Sequence, residues 1–501
     1  MNAPFQTSPA KADLDVAVIG AGFSGLCMAI QLKKAGWTNF RVFEKAGDLG
    51  GTWRDNRYPG CACDVPSHLY SFSFEQNPSW TRSFSPQPEI WRYMRDCASK
   101  YGLLPFIRCN AGVASATYDE TAQLWRLALK NGEMVTARAV VSGVGALHLP
   151  AYPKIKGLEN FKGRAFHSAE WDEGYDLTGK KVAVIGTGAS AIQIVPSIAP
   201  QVKELHLFQR TPSWILPRLD KAFSEKTKTR LRKTPGLQRL LRNFIYWALE
   251  FRALGFLGHP KLMKQVEKLA REYLEKSVPD AALRVKLTPD YEIGCKRILI
   301  SDDFYAVMTR PNVELVTEAI TEVTPDGIVA ADGKTRVVDA IIYATGFRAT
   351  EWLSAMDVFG RGGRNLREDW KNGAEAYYGI TVTGYPNFFV LLGPNTGLGH
   401  NSIIFMIESQ ARYAIECLTW LLRGDAGEVE VRSEVQREFN AQVREALKRT
   451  VWQSGCKSWY LNHNGSNSTI WPDFTFRYWW KTRGARRADF EIRPVRANAE
   501  A

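Results

Sequence analysis

Two glycine-rich strings recur in this chain, Gly20-Ala21-Gly22-Phe23-Ser24-Gly25 and Gly186-Thr187-Gly188-Ala189-Ser190-Ala191. Glycines at this spacing permit a tight turn. They let backbone N–H groups approach a pyrophosphate and let the next helix pack on the preceding strand. Glu44 follows Gly20 at the offset where a carboxylate accepts hydrogen bonds from both ribose hydroxyls and repels a 2′-phosphate. The first string is therefore expected to take FAD or NAD. Behind the second string, Leu205-His206-Leu207-Phe208-Gln209 ends in Arg210-Thr211, with no acid. A guanidinium beside a hydroxyl suits a 2′-phosphate, so NADPH is expected there.

Two dinucleotides in one chain imply a hydride relay from NADPH to a flavin, FAD. The flavin must then pass its electrons on. A disulfide outlet needs a cysteine pair beside it. The closest pair, Cys61 and Cys63, has Cys-x-Cys spacing and fits neither a Cys-x-x-Cys redox motif nor a zinc knuckle. Molecular oxygen is the remaining acceptor. No metal-ligand spacing occurs, and no metal is expected.

The elements that must position these residues follow from apolar patterning. Leu14 to Ile19 reads as a buried parallel strand running into the first string, and Ser24 to Ala35 as a helix closed by Gly36. Phe40 to Glu44 is the next strand. Lys181 to Ile185 and Glu204 to Gln209 bracket the second string in the same way. Val140 to Gly145, Ala340 to Phe347 and Asn387 to Pro394 read as further strands with glycine exits. The expected fold is α/β, with two nested Rossmann-like dinucleotide-binding domains and a helical insert. Residues 1–148 and 385–501 form the FAD domain, 149–214 and 293–384 the NADPH domain, and 215–292 the insert.

A chain of 501 residues exceeds a single core. The net charge is +13. Residues 215–292 supply 17 − 9 = +8 of it, from 17 Lys/Arg and 9 Asp/Glu. No nucleic-acid module accompanies this charge, so nucleic acid is set aside. In the insert, Leu237, Leu240, Leu241, Phe244, Ile245, Ala248 and Leu249 fall on one helix face. This stripe is expected to be core, with a membrane-surface anchor as the alternative. Met1 to Asp15 lacks an apolar segment, so no secretory leader is expected, and the eight scattered cysteines suit a cytoplasmic protein.

Two longer strings carry a family resemblance. Phe161-x-Gly163-x-x-x-His167-x-x-x-Trp171-Asp172 is similar to the fingerprint of type I Baeyer–Villiger monooxygenases. Gly50-Gly51-Thr52-Trp53, Tyr58-Pro59-Gly60 and Asp64 resemble a second conserved string of that family. The resemblance extends from the first strand to about residue 480. Sister flavin monooxygenases that oxygenate nitrogen or sulfur are the alternative, but usually lack the Trp-Asp ending. A redox-sensing flavoprotein without turnover is a further alternative, of another class.

The resemblance implies that reduced FAD adds O2 at C4a and that the peroxide anion attacks a ketone, giving an ester or lactone. It implies that Arg297 stabilises the anion, that Asp64 orients Arg297 and that Lys296 holds the 2′-phosphate. It places Thr52, Trp53, Tyr70 and Val113 on the flavin, and further contacts near Asn395, Thr396 and Ile403. It gives Phe161, Gly163, His167, Trp171 and Asp172 a hinge role between domains. Residues 451–481 are Trp-rich and unlike the best-known cyclic-ketone members. Arg210→Ala is expected to raise the KM for NADPH by about ten- to a hundredfold, with little change for NADH. Equal effects on both cofactors, in steady-state kinetics, would argue against a 2′-phosphate contact.

Overall fold

The computed structural model describes residues 12–496 other than Asp425 and Lys457. Residues 1–11, part of the stretch read for a leader, lie outside the described residues. Two sheets carry the two glycine strings. In the first, Leu14–Ile19 lies parallel between Phe40–Phe43 and Met134–Ser142. Antiparallel strands Leu124–Leu129 and Val113–Asp119 extend one side, and Phe388–Val390 adds beside Val140 to Ser142. Asp357–Phe359 pairs with Val113–Asp119. The chain thus first returns to this sheet at 357, earlier than the expected boundary at 385.

The second sheet has five parallel strands in the order Val313–Val316, Glu204–Phe208, Lys181–Ile185, Ala340–Tyr343, Arg164–His167. Its inner strands are buried on both faces, hence the near-continuous apolar runs Val-Ala-Val-Ile and Ala-Ile-Ile-Tyr. The α/β class, the two Rossmann-like units and the helical insert are all present.

The insert holds helices Glu225–Lys233, Pro235–Phe256, Pro260–Ser277 and Ala281–Leu287. Their starts are encoded locally. The Ser224 hydroxyl accepts from the Thr227 N–H, the Asp280 carboxylate accepts from the Ala282 N–H, and Pro235 and Pro260 occupy first turns. Among the described residues, no helix is long and apolar enough to cross a membrane.

One expectation is overturned here. The apolar stripe of Pro235–Phe256 is core only at its inner edge, where Leu249 is buried and Leu237, Leu241 and Ile245 are half-buried. Leu240 and Phe244 are 67% and 73% exposed, and Ala248 is exposed, whereas Gln238, Arg242 and Glu250 are buried. The cause is a set of satisfied buried polar groups. Arg242 Nη1 donates to the His68 and Leu69 carbonyls at 2.9 and 3.1 Å. Glu250 accepts from the Thr475 N–H at 2.5 Å and from Asn401 Nδ2 at 2.6 Å. A charged group with its bonds made can occupy the inner face, and it leaves Leu240, Phe244 and Ala248 on the outer edge of the stripe.

The eight cysteines also divide. Cys295 and Cys456 are joined as a disulfide across 6.4 Å between their Cα atoms, while Cys61, Cys63 and four others are free.

Both glycine strings sit at strand exits against a neighbouring strand. A Cβ on Gly20 would come within 2.8 Å of the Gly143 carbonyl oxygen, and one on Gly186 within 2.5 Å of the Ala344 oxygen. Both glycines have positive φ, 94° and 110°. Gly25 is tighter still, because its Cβ would lie 1.7 Å from the Gly20 oxygen. Gly25→Ala is expected to cost about 1–3 kcal/mol, read as a lower denaturation midpoint. An unchanged midpoint would show that this helix can slide off its strand freely.

Candidate active site

A cavity of about 1610 Å³ opens where the exits of both sheets face each other. From the first unit, Gly20, Gly22, Phe23, Ser24, Glu44, Thr52, Trp53, Asp64, Tyr70 and Val113 line it. From the second come Gly186, Thr187, Gly188, Ala189, Ser190, Arg210, Thr211, Lys296 and Arg297. Ile403 lines it as well. Two expected residues do not. Gly25 lies behind the loop, in the helix–strand contact. Asn395 spends its Nδ2 on the carbonyls of Asn467 and Ile470 at 2.9 and 3.2 Å, while its expected neighbour Thr396 lines the cavity.

The loops fit dinucleotides. A Cβ on Gly188 would meet nothing within 4 Å, and one on Gly22 only Gly51 Cα at 3.9 Å. Open space over each central glycine is what a pyrophosphate needs. Glu44, 3% exposed, accepts from the Ala21 N–H at 2.8 Å, the Ala46 N–H at 3.0 Å and Arg54 Nη1 at 2.9 Å. A carboxylate offers about four acceptor sites. Room therefore remains toward the cavity for a ribose hydroxyl.

At the second ribose position two cations face each other with little neutralisation. Burial lowers the pKa of Lys296, and the charge of Arg210 lowers it further, against a partial offset from Asp290. The Lys296 Nζ lies 4.3 Å from the Tyr291 ring centroid. Arg210 is exposed, and among the described residues no ion pair to a carboxylate holds it. A phosphate dianion relieves this repulsion, which suits a 2′-phosphate.

Between the loops stands an ion pair. Arg297 Nε donates to Asp64 Oδ2 at 3.1 Å, and Nη2 donates to the same oxygen. The two side chains are 35% and 29% exposed. Burial alone would raise the Asp64 pKa. The charge and hydrogen bond of Arg297, with help from Arg218, overcome this and hold the carboxyl below its ordinary value. Arg297 is pushed the other way, to a higher pKa, by Asp64 against burial.

The segment that carries Asp64 is clamped on the second unit. Tyr58 OH donates to Gln193 Oε1 at 3.1 Å, and Gln193 Nε2 donates to the Ala62 carbonyl at 3.0 Å. Gly60, at φ 81°, sits so close to the Ala191–Ile198 helix that a Cβ would meet the Gln193 oxygen at 2.6 Å. Arg218 Nη2 donates to the Cys63 carbonyl at 2.9 Å. Gln193 and Arg218 were not legible as site residues, since neither stands in a recognisable string. Trp53 also has a defined partner, its Nε1 donating to Tyr70 OH at 3.0 Å.

The fingerprint residues lie outside the cavity wall. Gly163 leaves no room for a side chain, because a Cβ would lie 2.5 Å from both the Asp339 oxygen and the Phe161 ring. His167 is fully buried. Its Nδ1 accepts from the Ala169 N–H at 3.1 Å, which leaves Nε2 to donate to the Gly346 carbonyl at 3.0 Å. Burial lowers its pKa and favours this neutral form. Asp172 pairs with Arg164 at 2.5 Å, and Trp171 packs edge-on to Phe166 at 5.1 Å. Gly346 itself lines the cavity, so His167 links the string to the cavity wall. His400, in the Gly397–His400 loop, lies 3.5 Å from Glu250. Among the described residues no cluster could hold a metal.

The geometry agrees with known proteins. Residues 13–352 match the flavin-binding monooxygenase-like family. The chain belongs to that family. It is 51% identical to a Baeyer–Villiger monooxygenase of Pseudomonas aeruginosa, over 95% of this chain and 91% of that one. It is 47% identical to one of Streptomyces coelicolor, over 97% and 94%. A crystal structure of OTEMO in complex with FAD and NADP superposes at a TM-score of 0.87, at 29% identity, over 97% of this chain and all of that one. These relatives favour the Baeyer–Villiger reading over oxygenation of nitrogen or sulfur.

The lowered Asp64 pKa has a sign. The pair contributes stability that is fully present above the unfolded carboxyl pKa of about 3.9. That contribution is lost as pH falls through the lower folded value. The stability difference between wild type and Asp64→Asn is therefore expected to stay flat from about pH 8 to about pH 5 and to shrink below about pH 4. Urea denaturation at each pH measures it. A difference that grows on acidification would contradict the assignment.

Proposed function

We propose that this chain is an FAD- and NADPH-dependent Baeyer–Villiger monooxygenase. It inserts one atom of O2 into a ketone to give an ester or lactone, and the other atom leaves as water. The observation that carries the reading is Arg297, tethered to Asp64 in a cavity that both nucleotide loops line. Gly20, Gly22 and Ser24 would hold the FAD pyrophosphate, and Gly186 to Ser190 that of NADPH. Arg210 and Lys296 would take the 2′-phosphate.

FAD, once bound and reduced by NADPH, supplies the oxygen-activating chemistry. The chain supplies the rest. Attack on a ketone needs an oxygen nucleophile that stays anionic, and it places negative charge on the carbonyl oxygen. Both are costly in a water-poor cavity unless a fixed cation meets them. A guanidinium cannot lose its charge at any working pH. Asp64 engages Nε and Nη2 of Arg297, and among the described residues Nη1 has no acceptor. Nη1 therefore remains to donate to substrate. Asp64 does not act on the proton inventory, because its carboxyl is held ionised; it orients its partner. Trp53 and Tyr70, bonded to each other, would form a rigid wall beside the flavin. His167, outside the cavity, would act as a latch on Gly346 when the units move. Six free cysteines fit a cytoplasmic location, and the Cys295–Cys456 disulfide counts against it.

Arg297→Ala is expected to lower ester yield by about a hundredfold or more, while NADPH still reduces the flavin. Gas chromatography of products, with NADPH consumption followed in parallel, measures both. Normal ester yield would refute the role. A gain in sulfoxide at the expense of ester would show that the cation selects between the two chemistries.

A further inference from the structure

The outward-facing stripe of the Pro235–Phe256 helix is not explained by oxygenation. Leu240, Phe244, Trp247 and Phe251 are 67%, 73%, 49% and 67% exposed. Their spacing places them within about 60° of one helix face. The Thr475–Lys481 helix lies alongside. Trp247 and Phe476 have ring centroids 5.9 Å apart, and Tyr246 OH lies 2.9 Å from Thr475 Oγ1. Trp480, 59% exposed, extends the stripe across this second helix. A contiguous run of exposed aromatic side chains on two packed helices is uncommon on a protein that meets only water.

The exposed charges on the two helices share one sign. On these two helices Arg239, Arg252, Arg477 and Lys481 are exposed. The sole acid of the pair, Glu250, is 1% exposed and bonded inward to Asn401 and Thr475. Asp473 offsets Arg477 at 3.2 Å. Arg483, just beyond, stacks over Trp480 with its guanidinium 3.9 Å from the ring centroid.

We infer that this face docks on an anionic lipid bilayer. The argument is complementarity. Phenylalanine and leucine gain by entering the acyl boundary, tryptophan settles at the headgroup level, and arginine and lysine stems reach lipid phosphates. A second copy of this chain would bring the same cations face to face across a twofold axis. The helix lies flat, because no described helix is long and apolar enough to span. Its inner side presents Glu250 to Asn401, which lines the cavity. The bilayer would thus lie about one helix diameter, roughly 10–12 Å, from the cavity wall. This inference does not depend on the proposed reaction, since docking needs no turnover.

The test is cosedimentation of the FAD-loaded protein with vesicles. Equimolar phosphatidylglycerol and phosphatidylcholine vesicles are expected to retain about tenfold more protein than phosphatidylcholine alone, and raised salt is expected to weaken the excess. The double variant F244E/F251E changes only exposed positions. It is expected to stay in the supernatant while keeping wild-type flavin content and NADPH oxidation. Three outcomes would overturn the inference. These are wild type that ignores phosphatidylglycerol vesicles, a variant that binds them as well as wild type does, and a wild-type dimer that F244E/F251E dissociates without any vesicle binding.

Discussion

Two nucleotides bound in separate units can exchange electrons only if something holds one unit on the other and keeps the shared space charged correctly. In this protein the Asp64–Arg297 ion pair joins the two units inside the cavity, alongside the contacts of Gln193 and Arg218. Asp64 comes from the segment after the first glycine string, and Arg297 from beyond the helical insert. Their pairing crosses from one unit to the other, inside the cavity. Removing either partner would leave a partly buried charge alone, which is why the arrangement resists drift. The pair is also asymmetric. Asp64 engages Nε and Nη2, and Nη1 keeps its donors.

The surrounding contacts make sense as supports for that pair. Tyr58, Gly60 and Ala62 hold the Asp64 segment on the Ala191–Ile198 helix through Gln193, and Arg218 anchors the Cys63 carbonyl. The string that resembles the family from Gly50 to Asp64 therefore reads as one mechanical part. Its first glycines approach the flavin loop, its aromatic residues wall the cavity, and its end carries the carboxylate. The separate fingerprint does different work. It forms an edge strand and latches on Gly346, without touching the cavity itself.

Much of this was legible in the sequence because the constraint is local. A glycine that must pass a neighbouring strand, as Gly20 passes Gly143, leaves the same mark wherever the fold occurs. The strands that carry both loops, the five-stranded parallel sheet and the insert were readable from apolar runs and helix caps. The family, its α/β class and its cofactor pair followed. What failed was long-range. The helical stripe from Leu237 to Leu249 looked like core throughout, although Leu240, Phe244 and Ala248 are exposed, because periodicity records only that one face is apolar. It does not record that Arg242 and Glu250 find partners on segments far away in sequence and take the inner face. Asn395 shows the same effect, since its amide serves the Asn467–Ile470 segment rather than the cavity. Gln193 was invisible because a glutamine in an apolar helix announces nothing. The joining of Cys295 to Cys456 likewise depends on a fold contact that no spacing reveals.

The central claim is that Asp64 acts through Arg297 and has no separate task. A double-mutant cycle on ester formation tests this most directly, with Arg297→Ala, Asp64→Ala and the double variant compared under saturating NADPH. If the claim holds, the double variant is no slower than Arg297→Ala alone, and the coupling exceeds about 1 kcal/mol. Losses that simply add would contradict it, because they would mean that the two side chains serve the reaction independently.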